Sequence, residues 1–220
     1  MKVDIWSDIR CPFCYIGKRK FEAALDKFEN KDKVEIEWHS FELDPTMKTE
    51  KDTNIYDYLS ERKAISIEQS KQMHAYVSKT ASEVGLQYNF DKTVVASSFD
   101  GHRLIQLAKK KGLGDIAEEK LFKAYFTDGV DISDHSSLVE IGVEIGLQRN
   151  EVQKMLQSES LTEEVREDES IAETIGVNGV PFFVFDQKYA VSGAQSSATF
   201  LEVLEKSWNE SIKNDPIEVI

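Results

Sequence analysis

Cysteine is almost absent from this chain: its 220 residues carry two. That excludes a disulfide-stapled scaffold, and none is needed, because a chain of this length with 40% hydrophobic residues can bury a core of its own. Long apolar runs are missing too. No stretch approaches the roughly 20 consecutive apolar residues that span a bilayer. The opening MKVDIWSDIRC sets Asp4, Asp8 and Arg10 where a secretory leader needs an unbroken apolar region. The expectation is therefore a cytoplasmic protein with no membrane partner. In that compartment thiols are kept reduced, and a close cysteine pair is more often catalytic or metal-binding than a structural bridge.

Positive charge is in deficit, with 27 Lys and Arg against 40 Asp and Glu and a net charge of −13. Such a balance repels phosphate backbones and anionic lipid at long range. The basic clusters Lys18, Arg19, Lys20 and Lys109, Lys110, Lys111 fall on helical patterns with no stripe of aromatics. Nucleic acid is not expected as a partner. No fixed-period repeat appears, which excludes a solenoid.

What the chain does have is SDIRCPFCYIGKRKFEAAL, residues 7 to 25, with both cysteines three positions apart at the head of a helical pattern. Residues 2 to 6 alternate, with Val3 and Ile5 on one face, and predict a short strand. From Pro12 to about Glu29 the residues Ile16, Phe21, Ala24, Leu25 and Phe28 recur at helical spacing. Residues 33 to 45 alternate again through Val34, Ile36, Trp38 and Phe41 until Pro45. The opening is strand, helix, strand, with a helix able to cross over between parallel strands.

From about residue 52 to 176 the chain is a succession of helical segments divided by glycines. Ser66 with Gln69 forms a capping-box pattern, and the last of these helices runs from about Thr162 to Ile175 and stops at Gly176. Past Gly179 the period of two returns: PFFVFD (181 to 186) and YAVSG (189 to 193) predict a hairpin. Phe200, Leu201, Leu204 and Trp208 then predict a closing helix, and the tail after Asn214 is expected to fray. The reading is an α/β protein with a thioredoxin-like fold, a central mixed sheet flanked by helices. A large all-helical insertion separates its βαβ and ββα halves. The boundaries drawn from the pattern are a discontinuous domain at 1–48 and 177–214 and an insertion at 49–176.

A thiol attacks only as thiolate, so Cys11 needs an electropositive, accessible position. As N-cap of a helix with Pro12 at its first position, it would receive the helix dipole, worth about 0.3–2 kcal/mol to an anion there. The free amides of Phe13 and Cys14 are expected to point back at its sulfur. Cys14, one turn on, would face inward within disulfide reach. Cys11 then attacks and Cys14 resolves. Packing alone would leave two small buried hydrophobes. A zinc clip would need four ligands, and His39, His74, His102 and His135 are scattered without ligand spacing, so no metal is assigned.

The segments DIWSDIRCPFCYIGK, SFELDP, SSFDGHRLIQLAKKKG, ISDHSSLVEIGVEIGL and IGVNGVPFFVFDQKYAVSGAQ resemble, in order and placement, the DsbA family of thioredoxin-fold oxidoreductases. Within that family they resemble its cytoplasmic FrnE-like branch. The resemblance implies a cis Val180–Pro181 bond facing the cysteines, with the Val180 backbone offered to an extended substrate as an added strand. It also implies that His102 and Arg103 lie on the side of the insertion facing the active site. The SGAQ segment around Gln195 could present amides to a carboxylate of a peptide or of glutathione. Pro12 and Phe13 complete the expected substrate-facing set. DsbA proper has histidine where Phe13 stands, so its strongly oxidising behaviour does not carry over automatically, and the direction of electron flow is left open.

The implied activity is thiol–disulfide exchange with protein or small-molecule thiols, with no cofactor beyond the dithiol, glutathione as a conceivable co-substrate, and a homodimer compatible with the reading. Two alternatives stand beside it. One is a glutathione-dependent isomerase or transferase like the related 2-hydroxychromene-2-carboxylate isomerases and kappa-class transferases, which typically carry serine at the Cys11 position. The other is a non-catalytic polypeptide-binding module.

Overall fold

A computed structural model describes residues 1–214 of the chain; the tail expected to fray lies outside them. In chain order, β1 (Lys2–Ser7), α1 (Pro12–Leu25) and β2 (Glu35–Ser40) come first. The insertion follows with β3 (Glu50–Asn54), α2 (Ile55–Lys63), α3 (Ile67–Ser82), β4 (Val94–Val95), α4 (Phe99–Lys109) and α5 (Gly114–Lys123). It continues through a turn of π-helix (Ala124–Asp128), α6 (His135–Glu144), α7 (Arg149–Leu156) and α8 (Thr162–Thr174). The closing half is β5 (Phe182–Phe185), β6 (Tyr189–Ser192) and α9 (Ser197–Asn214).

The expected crossover is present: β1 and β2 are parallel, with Val3 opposite Ile36 and Ile5 opposite Trp38. β5 runs antiparallel on the other side of β1, and β6 completes the mixed order β2-β1-β5-β6. Because side chains alternate across a strand, Val3, Ile5, Phe183 and Phe185 share one face. Phe21 and Ala24 of α1 and Phe200 and Leu204 of α9 cover it. Phe183 and Phe200 meet edge to face at 4.6 Å, a geometry that adds about 0.5–1.5 kcal/mol to burial alone. The hairpin closes through Asp186 and Gln187, both at positive φ, and Asp186 accepts the N–H of Lys2 at 2.7 Å.

Some boundaries differ from the sequence reading. α1 ends at Leu25, four residues early, because the chain tightens there into turns in which Lys27 and Phe28 donate to Ala24 and Leu25. Phe28 still reaches the core from the turn. β2 is shorter than the alternation because beyond Ser40 the backbone leaves the sheet and Leu43 donates to the Asp8 carboxylate. The insertion is helical as expected, with the Ser66–Gln69 capping box formed, apart from one short ladder, β3 with β4. Among the described residues no helix is long and apolar enough to cross a membrane.

On the opposite face of the sheet, α8 is held by charge. His39 of β2 lies between Asp168 of α8 (2.7 Å) and Asp4 of β1 (2.8 Å), and its ring stacks on Trp6 at 4.4 Å. Asp168 also accepts the backbone N–H of Ser40. Burial opposes the His39 charge, but the two carboxylates hold its pKa above the ordinary 6.5. Burial also opposes the Asp168 charge, but His39 and Lys109 hold that carboxyl below the usual range. The histidine's contribution is complete below about pH 6.5 and is lost as pH rises through its folded value, whereas the carboxylates yield only in acid. His39→Gln is expected to lower the thermal midpoint at pH 6 by about 2–8 °C, with the gap to the parent narrowing by pH 9. A gap unchanged over that range in paired melts would contradict the charged clamp.

Candidate active site

The site is built by the turn that joins β1 to α1. The Cys11 N–H donates to the Asp8 carbonyl at 2.9 Å. The Asp8 carboxylate accepts the N–H of Arg10 at 3.0 Å and of Leu43 at 2.8 Å, tying the turn to the segment after β2. Cys11 is the N-cap of α1 and Pro12 occupies the first turn, where its missing N–H costs nothing. The sulfur, however, does not cap the helix. The Cys14 N–H goes to the Cys11 carbonyl at 3.0 Å, so the expected amide contact with the sulfur is not made. The Cys11 thiol instead faces the Val180 carbonyl at 3.4 Å.

The Val180–Pro181 peptide bond is cis, and Pro181 comes so near α1 that a Cβ on Gly17 would sit 2.9 Å from its Cγ. Glycine at 17 is what allows this approach. From the insertion, Tyr88 donates to the Pro12 carbonyl at 2.7 Å, and Tyr15 stacks on Phe122 of α5 at 4.9 Å. Cys11, Cys14, Tyr15 and Ile16 thus belong to the core of the insertion, while Phe21 and Ala24 on the same helix belong to the core under the sheet.

The two cysteines are both reduced and both buried, Cys11 at 4% exposure on the edge of an open cleft. Cys14 is 1% exposed, and burial, then the neighbouring Cys11 thiol, push its pKa well up. Behind it is a cluster of titratable groups shielded from water. Burial pushes Glu118 of α5 up to about 7. The Ser7 hydroxyl lies next to both Cys14 and Glu118 and favours the ionised form of each, yet makes no hydrogen bond of good geometry. His102 of α4 faces the Asp8 carboxylate at 3.6 Å, an ion pair rather than a hydrogen bond. Burial opposes both charges, but the pair holds Asp8 below and His102 above their ordinary values. One Glu118 oxygen and both His102 ring nitrogens are buried without hydrogen-bond partners.

Of the residues expected from the sequence, Cys11, Cys14, Pro12, Val180 and Pro181 come together, and Phe13 stands exposed beside them. His102 is placed inside the buried cluster rather than on an open face. Arg103 is buried and bound to the carbonyls of Ser160 and Met155 and to Asp100. Gln195 is exposed and folds back, its side chain donating to Ser192 and its N–H to Gly193; the structure does not bring it to the sulfurs. Ser7, Asp8, Tyr88 and Glu118 were not singled out from the sequence. Glu118 had a signal: Ala117, Leu121 and Phe122 form an apolar stripe, and position 118 lies on it, three and four residues before the last two. Among the described residues the group with metal-ligand spacing is Asp4, Glu37 and His39, which includes neither cysteine and is already bridged by Lys2.

A thioredoxin-like unit with a dithiol at the head of its first helix, a cis proline facing it and a helical insertion packed on the same turn is the framework of thioredoxin-fold oxidoreductases. The chain belongs to the DsbA-like thioredoxin domain family, whose family model matches residues 2–205. A probable DsbA oxidoreductase from Streptomyces coelicolor is similar at 38% identity and a TM-score of 0.90, covering 100% of this chain and 94% of that one. The uncharacterised protein YwbO of Bacillus subtilis (strain 168) is 26% identical over 90% of this chain and 92% of its own length. The cytosolic disulfide reductase DsbM from Pseudomonas aeruginosa shares the fold, with a TM-score of 0.68 at 16% identity over 96% of this chain and 100% of that one.

An acid held up to about 7 in the fold but near 4.5 in the unfolded chain opposes folding increasingly as pH rises from 4.5, and in full above 7. Glu118→Gln is expected to stabilise the protein at pH 8 by up to about 3 kcal/mol and to leave it unchanged at pH 4.5. Denaturant unfolding at the two pH values checks this, and an equal effect at both would remove the buried-acid account.

Proposed function

We propose that this protein is a cytoplasmic thiol–disulfide oxidoreductase of the FrnE-like kind, with Cys11 as nucleophile and Cys14 as resolving thiol. The observation that carries the reading is the asymmetry of the pair: Cys11 lines an open cleft, whereas Cys14 is sealed beside the Ser7 hydroxyl, which also lies next to a buried acid. Deprotonated Cys11 attacks one sulfur of a substrate disulfide, forming a mixed disulfide and expelling the first thiolate. Cys14 then attacks the Cys11 sulfur, expelling the second. Two electrons pass from the dithiol to the substrate, one disulfide is made and one broken, and two thiols leave. Run backwards, the same steps oxidise a substrate dithiol.

The second attack is the demanding one, because Cys14 must lose a proton in a dry setting that favours the thiol. Ser7 and Glu118 supply the acceptor: a carboxyl near neutrality beside a hydroxyl that can turn from one to the other. Val180 takes the Cys11 S–H in the resting dithiol, and its carbonyl is freed once the sulfur is engaged. The chemistry needs no cofactor beyond the dithiol. Retention of Cys14 favours exchange over glutathione transfer, for which one activated group suffices.

Cys11→Ser is expected to abolish exchange, and Cys14→Ser to accumulate mixed disulfides detectable by mass after alkylation. If both variants turn over at the parent rate, the assignment is wrong. Glu118→Gln should slow decay of the mixed disulfide by about a hundredfold near pH 7, with the deficit shrinking as hydroxide takes over at high pH. An unaltered pH profile for that step would remove Glu118 from the reaction.

A further inference from the structure

The open cleft that Cys11 lines has a volume of about 410 Å³, and the steps above leave its occupant unassigned. This is the size of a small-molecule site. Cys11, Pro12 and Phe13 form one end, and the walls are apolar: Leu43, Ile55, Leu59, Met73, Val77 and Phe126. The turn of π-helix after α5 places Phe126 there. Phe13, Leu43 and Met73 are among the large apolar side chains the protein leaves exposed, at 38%, 46% and 42%. Their convergence on one cleft beside the nucleophile is a ligand-sized apolar surface, not scattered exposure.

The charge of the cleft runs against that of the whole chain. Its charged side chains are Arg10, Arg62 and Lys63 against Asp44, in a protein of net charge −13. Arg62 is paired with Asp44. Arg10, adjacent to Cys11, donates to the Tyr58 hydroxyl at 3.1 Å and has no carboxylate within salt-bridge distance among the described residues. Its Nε is buried without a partner. Asp8 takes the Arg10 backbone N–H, not its guanidinium. A guanidinium that lines an apolar cleft with no carboxylate partner asks for an anion there, and a carboxylate matches its planar fork.

Resting on the thiol-exchange reading, the geometry points to a substrate class: a low-molecular-weight disulfide or thiol with an apolar body and a carboxylate, its body in the cleft, its carboxylate on Arg10 and its sulfur at Cys11. Glutathione fits less well, since its two peptide groups would face the apolar walls without hydrogen-bond partners.

Binding can be read apart from exchange by calorimetry on the reduced full-length protein with biphenyl-4-carboxylate, which carries no sulfur, and with its neutral carboxamide. The carboxylate is expected to bind about tenfold more tightly. That preference should vanish in Arg10→Gln, and Met73→Trp, a change at the exposed rim that fills the cleft, should cost both probes at least tenfold. Reduced glutathione should bind more weakly than either probe. Equal affinity for the two probes in the parent, a preference that survives Arg10→Gln, or undiminished binding to Met73→Trp would each overturn the assignment. Tighter binding of a reduced, carboxymethylated polypeptide that displaces the probe would overturn it in favour of a polypeptide. Exchange itself is followed separately with the small neutral 2-hydroxyethyl disulfide, so a dead dithiol and a misassigned cleft give different results.

Discussion

Everything in this site depends on the burial of the first turn of α1 at the meeting of two cores. One helix serves both: Cys14, Tyr15 and Ile16 pack into the insertion, and Phe21 and Ala24 pack under the sheet. The helix therefore cannot rotate to satisfy one core without stripping the other. Lys18 completes the lock, buried at 2% exposure with Glu22, Asp115 and Glu119 around its ammonium, so that α5 is held to α1 by charge as well as packing. The orientation of the two sulfurs follows from this, with Cys11 at the rim and Cys14 inside.

Dry surroundings around Cys14 make its proton hard to remove, and the same dryness makes a nearby acid a usable base. Glu118 in water would be too weakly basic; burial raises it to about 7, where a carboxyl can exchange a proton near neutral pH. The cost is visible in the unpaired polar atoms of Ser7, His102 and Glu118, each worth about 1–3 kcal/mol of lost hydrogen bonding when buried. A site shaped only for stability would hold apolar side chains there. Asp8 and His102 offset part of the cost by forming an ion pair, and Asp8 also holds the motif turn through two backbone amides.

The legibility of the sequence tracks how local each feature is. Strand alternation at 2–6 and 33–45, the helical spacing after Pro12 and the hairpin near 181–193 are set by side chains a few residues apart, and the topology follows from them. The cysteine pair was equally plain. The direction of the Cys11 sulfur was not, because it depends on Val180, far along the chain, and on the Cys14 amide choosing a carbonyl within its own turn. The β3–β4 ladder joins strands too short to show a period. Tyr88 and Glu118 reach the site only through the packing of the insertion, although Glu118 lay on an apolar stripe that a stricter reading of α5 would have questioned.

The insertion thus does two opposite things to one helix turn. Through α4 and α5 it brings His102 and Glu118 beneath the cysteines and keeps water away from Cys14. Through α2 and α3 it leaves the other side open, with none of the residues of α2 fully buried and Met73 of α3 turned outward. A helical block that covered both sides would protect the dithiol and starve it of substrate; one that covered neither would leave Cys14 solvated and the acid beneath it at its ordinary value. The separation of the open Cys11 face from the dry Cys14 face is therefore a property of how the insertion is mounted on α1, and the Cys-Pro-Phe-Cys sequence alone does not contain it.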